Sequence, residues 1–306
     1  MLVQNALLRY YNKTEADVVT AYKNFPHPAI LVGYDAVRDS GAQLLFIAAA
    51  FNFVVQMYMI VEEKEHKLRY AMEKVGMYDF SYWLTWYLFD CGVNVIVVLN
   101  LMLFGAIFQL ELFLETSAGL TFLHFWLCAN AFTAVGFCLA SLSSKVETAT
   151  SIGLLYFVVC YLFGPIMFVI AFSSGATDPV KIIRDILLIV PSFGPAALFF
   201  GGLDKLIEAS SGQSATGMLW EDRGLNVLPA SDDGNVWTFE NFFEYNLYMI
   251  IYHLAFALYF DNILPNAYGR RKSVIFFLNP RYWIGQRAVL PKGGSFSYVP
   301  NPKGED

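Results

Sequence analysis

Charge is scarce in this sequence. Asp, Glu, Lys and Arg make up 15% of its 306 residues, against about 25% in ordinary soluble domains. With a mean hydropathy of +0.47, the deficit excludes a typical soluble fold and points to an integral membrane protein. Cysteine is also sparse. Cys91, Cys128, Cys138 and Cys160 all fall inside apolar stretches without C-x-x-C spacing. They read as small core hydrophobes and not as a zinc site or a secreted disulfide framework. No nucleophile elbow, H-E-x-x-H run or carboxylate dyad occurs, so no catalytic residue is expected. No metal site is expected either, because His124 and His253 stand without a second ligand at metal spacing. They read as hydrogen-bonded packing residues. Basic residues do not interleave with aromatics in the manner of a nucleic-acid binder, so no nucleic-acid partner is expected. The phosphate-cradling G-x-x-x-x-G-K-[ST] loop is missing as well. Gly269–Ser273, GRRKS, lacks its leading glycine and spacing.

Long apolar runs are what the chain does have. A helix needs about 20 apolar residues to cross a bilayer. Five stretches qualify: 42–61, 82–110, 118–142, 148–172 and 242–260. A sixth apolar region, near 180–203, carries Arg184 and Asp185 and is broken by Pro191 and Pro195. Two short helices meeting at the prolines, as a re-entrant or interfacial hairpin, fit it better than one span. The expected fold is therefore all-α: five transmembrane helices, a helical hairpin and one charged helix between the first two spans.

The distribution of Lys and Arg sets an expected orientation. Twelve of them fall on the side of the 62–81 loop: Lys64, Lys67, Arg69, Lys74, Lys145 and seven from Arg270 to Lys303. The positive-inside rule then makes that loop cytosolic, the N-terminus extracytoplasmic and the C-terminus cytosolic. The sequon Asn12-Lys13-Thr14 falls outside, which makes Asn12 a candidate glycosylation site. Met1–Arg9 lacks the basic start, apolar run and cleavage site of a signal peptide. An outside N-terminus without a signal peptide implies a further span before Met1.

The most informative segment lies between the first two spans. Over Glu63–Met77 the pattern predicts a helix with Leu68, Ala71, Met72 and Val75 on one face. Glu63–Lys67 and Glu65–Arg69 are i,i+4 pairs in the favourable order. Gly76 is placed to end the helix. Periodicity alone leaves two readings open, an ordinary interfacial loop helix and a handle for a soluble partner. The aromatics that follow, Tyr82, Trp83, Trp86 and Tyr87, read as interfacial anchors, as do Tyr245 and Tyr248. Asp90 is the conspicuous charge inside a span, costing roughly 2.5–3.5 kcal/mol if it sits centrally. It either lines a cavity or pairs across a helix interface, or it lies near the cytosolic third and reaches water. Arg270-Arg271-Lys272 could attract anionic lipid or act as a topology signal alone.

The run EEKEHKLRYAMEKVGMYDFSYWLTWYL resembles subfamily A of the ABC transporters, where such a stretch links two membrane helices of each half. YFDNILPNAYGRRKSVIFFLNPRYW, Tyr259–Trp283, resembles that family's exit from the last membrane helix toward the nucleotide-binding domain. LLIVPSFGPAALFFGG, Leu187–Gly202, is similar to its re-entrant helix pair, and NALLRYY, Asn5–Tyr11, to the end of its extracytoplasmic domain. The resemblance implies residues 1–40 as the end of an extracytoplasmic domain, 41–262 as a transmembrane domain and 263–306 as a cytosolic linker. It implies a half-transporter whose first helix and ATPase domain lie outside this chain. ATP and Mg would bind on that separate domain, with no cofactor here. Implied partners are the nucleotide-binding domain, the other transmembrane half and membrane lipid. The implied function is the membrane part of an ATP-driven exporter of lipid or another amphipath. Glu63, Glu65, Leu68, Met72, Val75 and Gly76 are the implied coupling residues. A non-transporting or degenerate scaffold that pairs with an active partner is the alternative.

Overall fold

The structure is a computed structural model that describes residues 41–172, 194–210, 216–225, 238–264 and 274–278. Its elements are helices. The first apolar stretch forms α1 (Ala42–Ala50) and α2 (Asn52–Glu65). Phe51 between them keeps helical dihedrals and bonds back to Ile47 O at 3.1 Å, so the two run on as one rod. α3 (Leu68–Lys74) is short, and α4 (Asp79–Ile107) is the longest helix. α5 (Glu111–Glu115) turns the chain into α6 (Ala118–Leu142), and α7 (Val146–Phe172) follows. α8 (Gly194–Ser210) and α9 (Phe239–Ile263) complete the set.

Among the described residues, four helices are long and apolar enough to cross a membrane: Ala42–Glu65, Phe80–Ile107, Ala118–Leu142 and Val146–Val169. The fifth expected span coincides with α9. At 25 residues α9 has the length, about 37 Å at 1.5 Å per residue. Its Asn246, His253 and tyrosines lower its hydropathy, and it is not among the four. The proline-containing start of the expected hairpin, Asn12 and the Gly269–Ser273 stretch lie outside the described residues. Residues 194–203 of the expected hairpin region fall in α8, a helix buried along most of its length.

α6 sits at the centre. Burial reaches 72% in its apolar window, against 28% for the α4 window and 17% for that of α7. α6 is the least apolar of the four, as suits a helix at the centre of a membrane bundle, where polar side chains face the interior, and it packs against α2, α4, α8 and most extensively α9. Small residues let neighbours approach it closely. A Cβ on Gly136 would lie 3.2 Å from the Phe53 ring, and one on Gly202 of α8 would collide with the His124 imidazole. Phe46 anchors the middle, wholly buried against the rings of Phe132, Phe157, Phe199 and Phe200 at 5.1–5.6 Å. α4 and α7 turn Leu88, Ile96, Leu155 and Val169 outward. Apolar rows of that extent suit a lipid surround and not water.

The charged segment departs from the expected single helix. α2 runs straight through Glu63, Lys64 and Glu65, and the break comes at Lys67, whose φ is +60°. A left-handed conformation disfavours a side-chain-bearing residue by about 1–2 kcal/mol. It persists where flanking contacts over-determine it, and both neighbours, Glu65 and Arg69, are anchored to other helices. The other end agrees with expectation. Gly76 takes φ +104° and Met77 N bonds to Met72 O at 3.1 Å, the Schellman arrangement that closes α3.

Candidate functional site

Consecutive residues of a helix point about 100° apart. Three in a row at the end of α2 therefore face three directions, and here each meets a different helix. Glu63 Oε2 accepts bonds from Tyr82 Oη at 2.9 Å and Trp86 Nε1 at 3.2 Å, both on α4. Lys64 Nζ donates to Ser143 O at 2.7 Å and Ser141 O at 3.0 Å, with a longer approach to Ala140 O at 3.4 Å. Those carbonyls lie at the C-terminal end of α6, where Ala140 O also accepts from Ser143 N at 3.2 Å and where a cation is favoured by the helix dipole. Glu65 Oε2 accepts from Val146 N at 2.7 Å, the first residue of α7, where an anion is favoured. The string Glu-Lys-Glu thus gathers the starts of α4 and α7 and the end of α6 onto α2.

Arg69 adds α9. Its guanidinium forms a two-pronged ion pair with Asp261, one arm at 2.6 Å, and both side chains are about nine-tenths buried. Trp83 Nε1 donates to the same carboxylate at 3.3 Å. The Arg69 Cζ lies 4.7 Å from the Tyr82 ring centroid and 5.4 Å from that of Trp83. Forked geometry and aromatic faces are what arginine supplies and lysine does not. Tyr82 and Trp83 are each 4% exposed, so they are buried hydrogen-bonding partners in place of the interfacial anchors their position suggested.

α3 itself turns Leu68 and Val75 outward. Leu68 is 52% exposed and Val75 91%. Ala71, Met72, Val75 and Met77 line an open apolar depression of about 390 Å³. Of the expected Leu68–Met72–Val75 face, Leu68 and Val75 are exposed and Met72 is half-buried against the core, while Arg69, the charged residue next to it, is buried.

Asp90, one turn beyond Trp86 on α4, is 1% exposed and its Oδ2 has no hydrogen-bond partner among the described residues. One turn further lies a polar layer that sequence reasoning missed. Asn94 accepts from Asn52 Nδ2 at 3.1 Å and Gln56 Nε2 at 3.4 Å. It donates to Asn130 Oδ1 at 3.2 Å and Thr133 Oγ1 at 2.9 Å. Thr133 Oγ1 also lies 2.8 Å from Gln56 Oε1. Three spans, α2, α4 and α6, are tied by this layer. The signal was available: Asn52 and Gln56, Asp90 and Asn94, and Asn130 and Thr133 each repeat at helical spacing inside an apolar run. The two histidines read as packing residues are buried, with His124 3.3 Å from Phe199 O and His253 2.7 Å from Met249 O.

Among the described residues no three His, Cys, Asp or Glu side chains gather, and the positive-φ glycines, Gly76 and Gly217, stand singly in turns.

Comparison with known proteins follows the same lines. The family described as ABC-2 family transporter protein matches residues 35–201. ABC transporter A family member 2 of Arabidopsis thaliana is 36% identical over 270 residues, covering 88% of this chain and 26% of the relative. Member 11 from the same plant is 33% identical over 280 residues, 91% of this chain and 28% of the relative. ABC transporter A family member 1 of Dictyostelium discoideum is 22% identical over 300 residues. The chain spans about a quarter to a third of the length of these relatives. A multi-helix apolar body, the Glu-Lys-Glu string and this alignment together show that the chain belongs to the ABC-2 transporter family, as membrane domain of the subfamily A type.

Proposed function

We propose that this chain forms the membrane-spanning part of an ATP-driven transporter of lipid or another amphipathic substrate, and that α3 is where an ATPase domain pushes on it. The observation that carries the reading is the exposure of Leu68 and Val75 beside the open apolar depression lined by Ala71, Met72, Val75 and Met77. Both stand on a segment whose charged residues are bonded to α4, α6, α7 and α9. A short apolar helix left open on a well-packed corner suits an apolar groove on a soluble partner. Force applied there reaches four helices through named contacts. Lys and Arg placement puts this corner on the cytosolic side, with α9 as a fifth span and the C-terminus also cytosolic. The amphipathic substrate is supported by the subfamily and by the outward apolar rows of α4 and α7. The second transmembrane half of the transporter is the remaining partner.

The test uses the full-length protein containing this chain, reconstituted in phosphatidylcholine–phosphatidylserine vesicles. Leu68, Met72 and Val75 are changed together to Ser. Lipid-stimulated ATP hydrolysis should fall to the basal rate while the basal rate persists, and Leu68→Ser with Val75→Ser alone, which leaves the partly packed Met72 in place, should do the same without loss of thermal stability. Unchanged stimulation would remove the coupling role and favour a scaffold that only pairs with an active partner.

A further inference from the structure

Arg69 and Asp261 are 192 residues apart in sequence, yet their pair is the most constrained polar contact of this corner. α3 packs mainly on α2, whereas α9 packs mainly along α6. The ion pair bridges two elements that otherwise have little packing in common. Both partners are held from several sides. The guanidinium lies over two aromatic rings, and the carboxylate takes a further bond from Trp83. A forked, desolvated pair fixes orientation as well as distance, and separating it strands a charge in an apolar setting.

We propose that Arg69 and Asp261 are positioning residues that make α3 and the end of α9 move as one body. Displacement of α3 is thereby delivered to the helix packed along the central α6, beyond α2 and α4, to which α3 is joined by chain. This rests on the reading of α3 as the coupling element, and it names the residues that pass the motion on. An ordinary structural staple would hold the two helices together at rest. A link keeps their separation constant while both change position relative to the rest of the domain.

The experiment follows distances between spin labels in the full-length protein, in a cysteine-depleted background. Val75→Cys reports α3, Ala255→Cys reports α9 and Leu114→Cys marks the opposite end of the domain; all three sites are exposed. Labelled pairs are compared without nucleotide and after trapping with ATP and orthovanadate. The expected result is that Val75–Leu114 and Ala255–Leu114 both shift, by the 1–2 Å or more roughly typical of helix movements. Val75–Ala255 should stay constant. In Arg69→Ala the Val75–Ala255 distance should change on trapping, and lipid-stimulated ATPase should drop. The charge swap Arg69→Asp with Asp261→Arg should restore constancy in part. A shift of α3 that α9 does not follow overturns the link and leaves the coupling reading standing. Constancy preserved in Arg69→Ala overturns it too. If neither helix shifts against Leu114, the coupling reading falls and the link with it. The unsubstituted pairs carry the test even if Arg69→Ala does not fold.

Discussion

Replacing Lys64 by Met should loosen the end of α6 without touching the apolar core. Met keeps the length and the apolar stem, so packing changes little. What is lost is the ammonium over Ser141 O and Ser143 O, at 3.0 and 2.7 Å. Ala140 O at 3.4 Å is too long to count as a full bond. A hydrogen bond to a charged group contributes about 1.5–3 kcal/mol, and a cation at a helix C-terminus a further ~0.3–1 kcal/mol. Water reaching this edge of the domain can replace part of the first term, and removing a half-buried charge offsets more. The net destabilisation is then about 2 kcal/mol, and the effect is local to the α2–α6 contact. The assay is a thermal melt of the full-length protein in detergent, monitored by tryptophan fluorescence, beside Lys64→Arg and Lys64→Glu. At roughly 2–4 °C per kcal/mol for a domain of this size, Lys64→Met should melt about 4–8 °C lower. Arg should lie close to the parent. Glu should be worst, since it places a third carboxylate beside Glu63 and Glu65 and faces the negative end of a helix. A Lys64→Glu melt equal to that of Lys64→Met would refute the capping argument, because it would show that no charge-sensitive contact exists there.

Two other outcomes are expected. Thr133→Val removes one member of the α2–α4–α6 polar layer and should cost about 0.6–1.7 kcal/mol, from the average to the largest value for hydrogen bonds between membrane helices; Asn94→Leu should cost more, because it removes the partner of Gln56 Nε2 and of Asn130 Oδ1 at once, and equal unfolding in mixed-micelle titrations of the two variants would contradict the layer's centre at Asn94. A membrane-impermeant maleimide should label Val75→Cys only from the cytosolic side and Leu225→Cys only from the opposite side; labelling of both from one side would overturn the orientation.

The apolar runs were legible because their signal is local and additive: about twenty residues of low polarity suffice whatever surrounds them. The end of α3 at Gly76 was legible for the same reason, since a left-handed glycine after an amphipathic turn is a short-range code. The helix break at Lys67 was not. Nothing in His66-Lys67-Leu68 marks a turn, and the left-handed lysine is held by anchors on α7 and α9. Glu63 and Glu65 were candidates for local i,i+4 pairing. In the fold they face α4 and α7, because charges at a helix end that is packed on three sides meet the neighbouring helix ends. Asp90 was visible as a charge in a span, but the company it keeps with Asn94 emerges only when three spans are side by side.

Sequence alone determined that the chain is apolar enough for a membrane, where its four long apolar helices run, and that Leu68, Met72 and Val75 share a face. These depend on composition and on the 3.6-residue period, which involve neighbours a few positions apart. Tertiary structure decided which helix each charge of Glu63-Lys64-Glu65 would meet, that Arg69 would find Asp261, and that Leu68 and Val75 of α3 would be left outward while Met72 packs on the core. Those outcomes depend on how helix ends come together in space, and a pairing across 192 residues leaves no trace in the spacing of either partner.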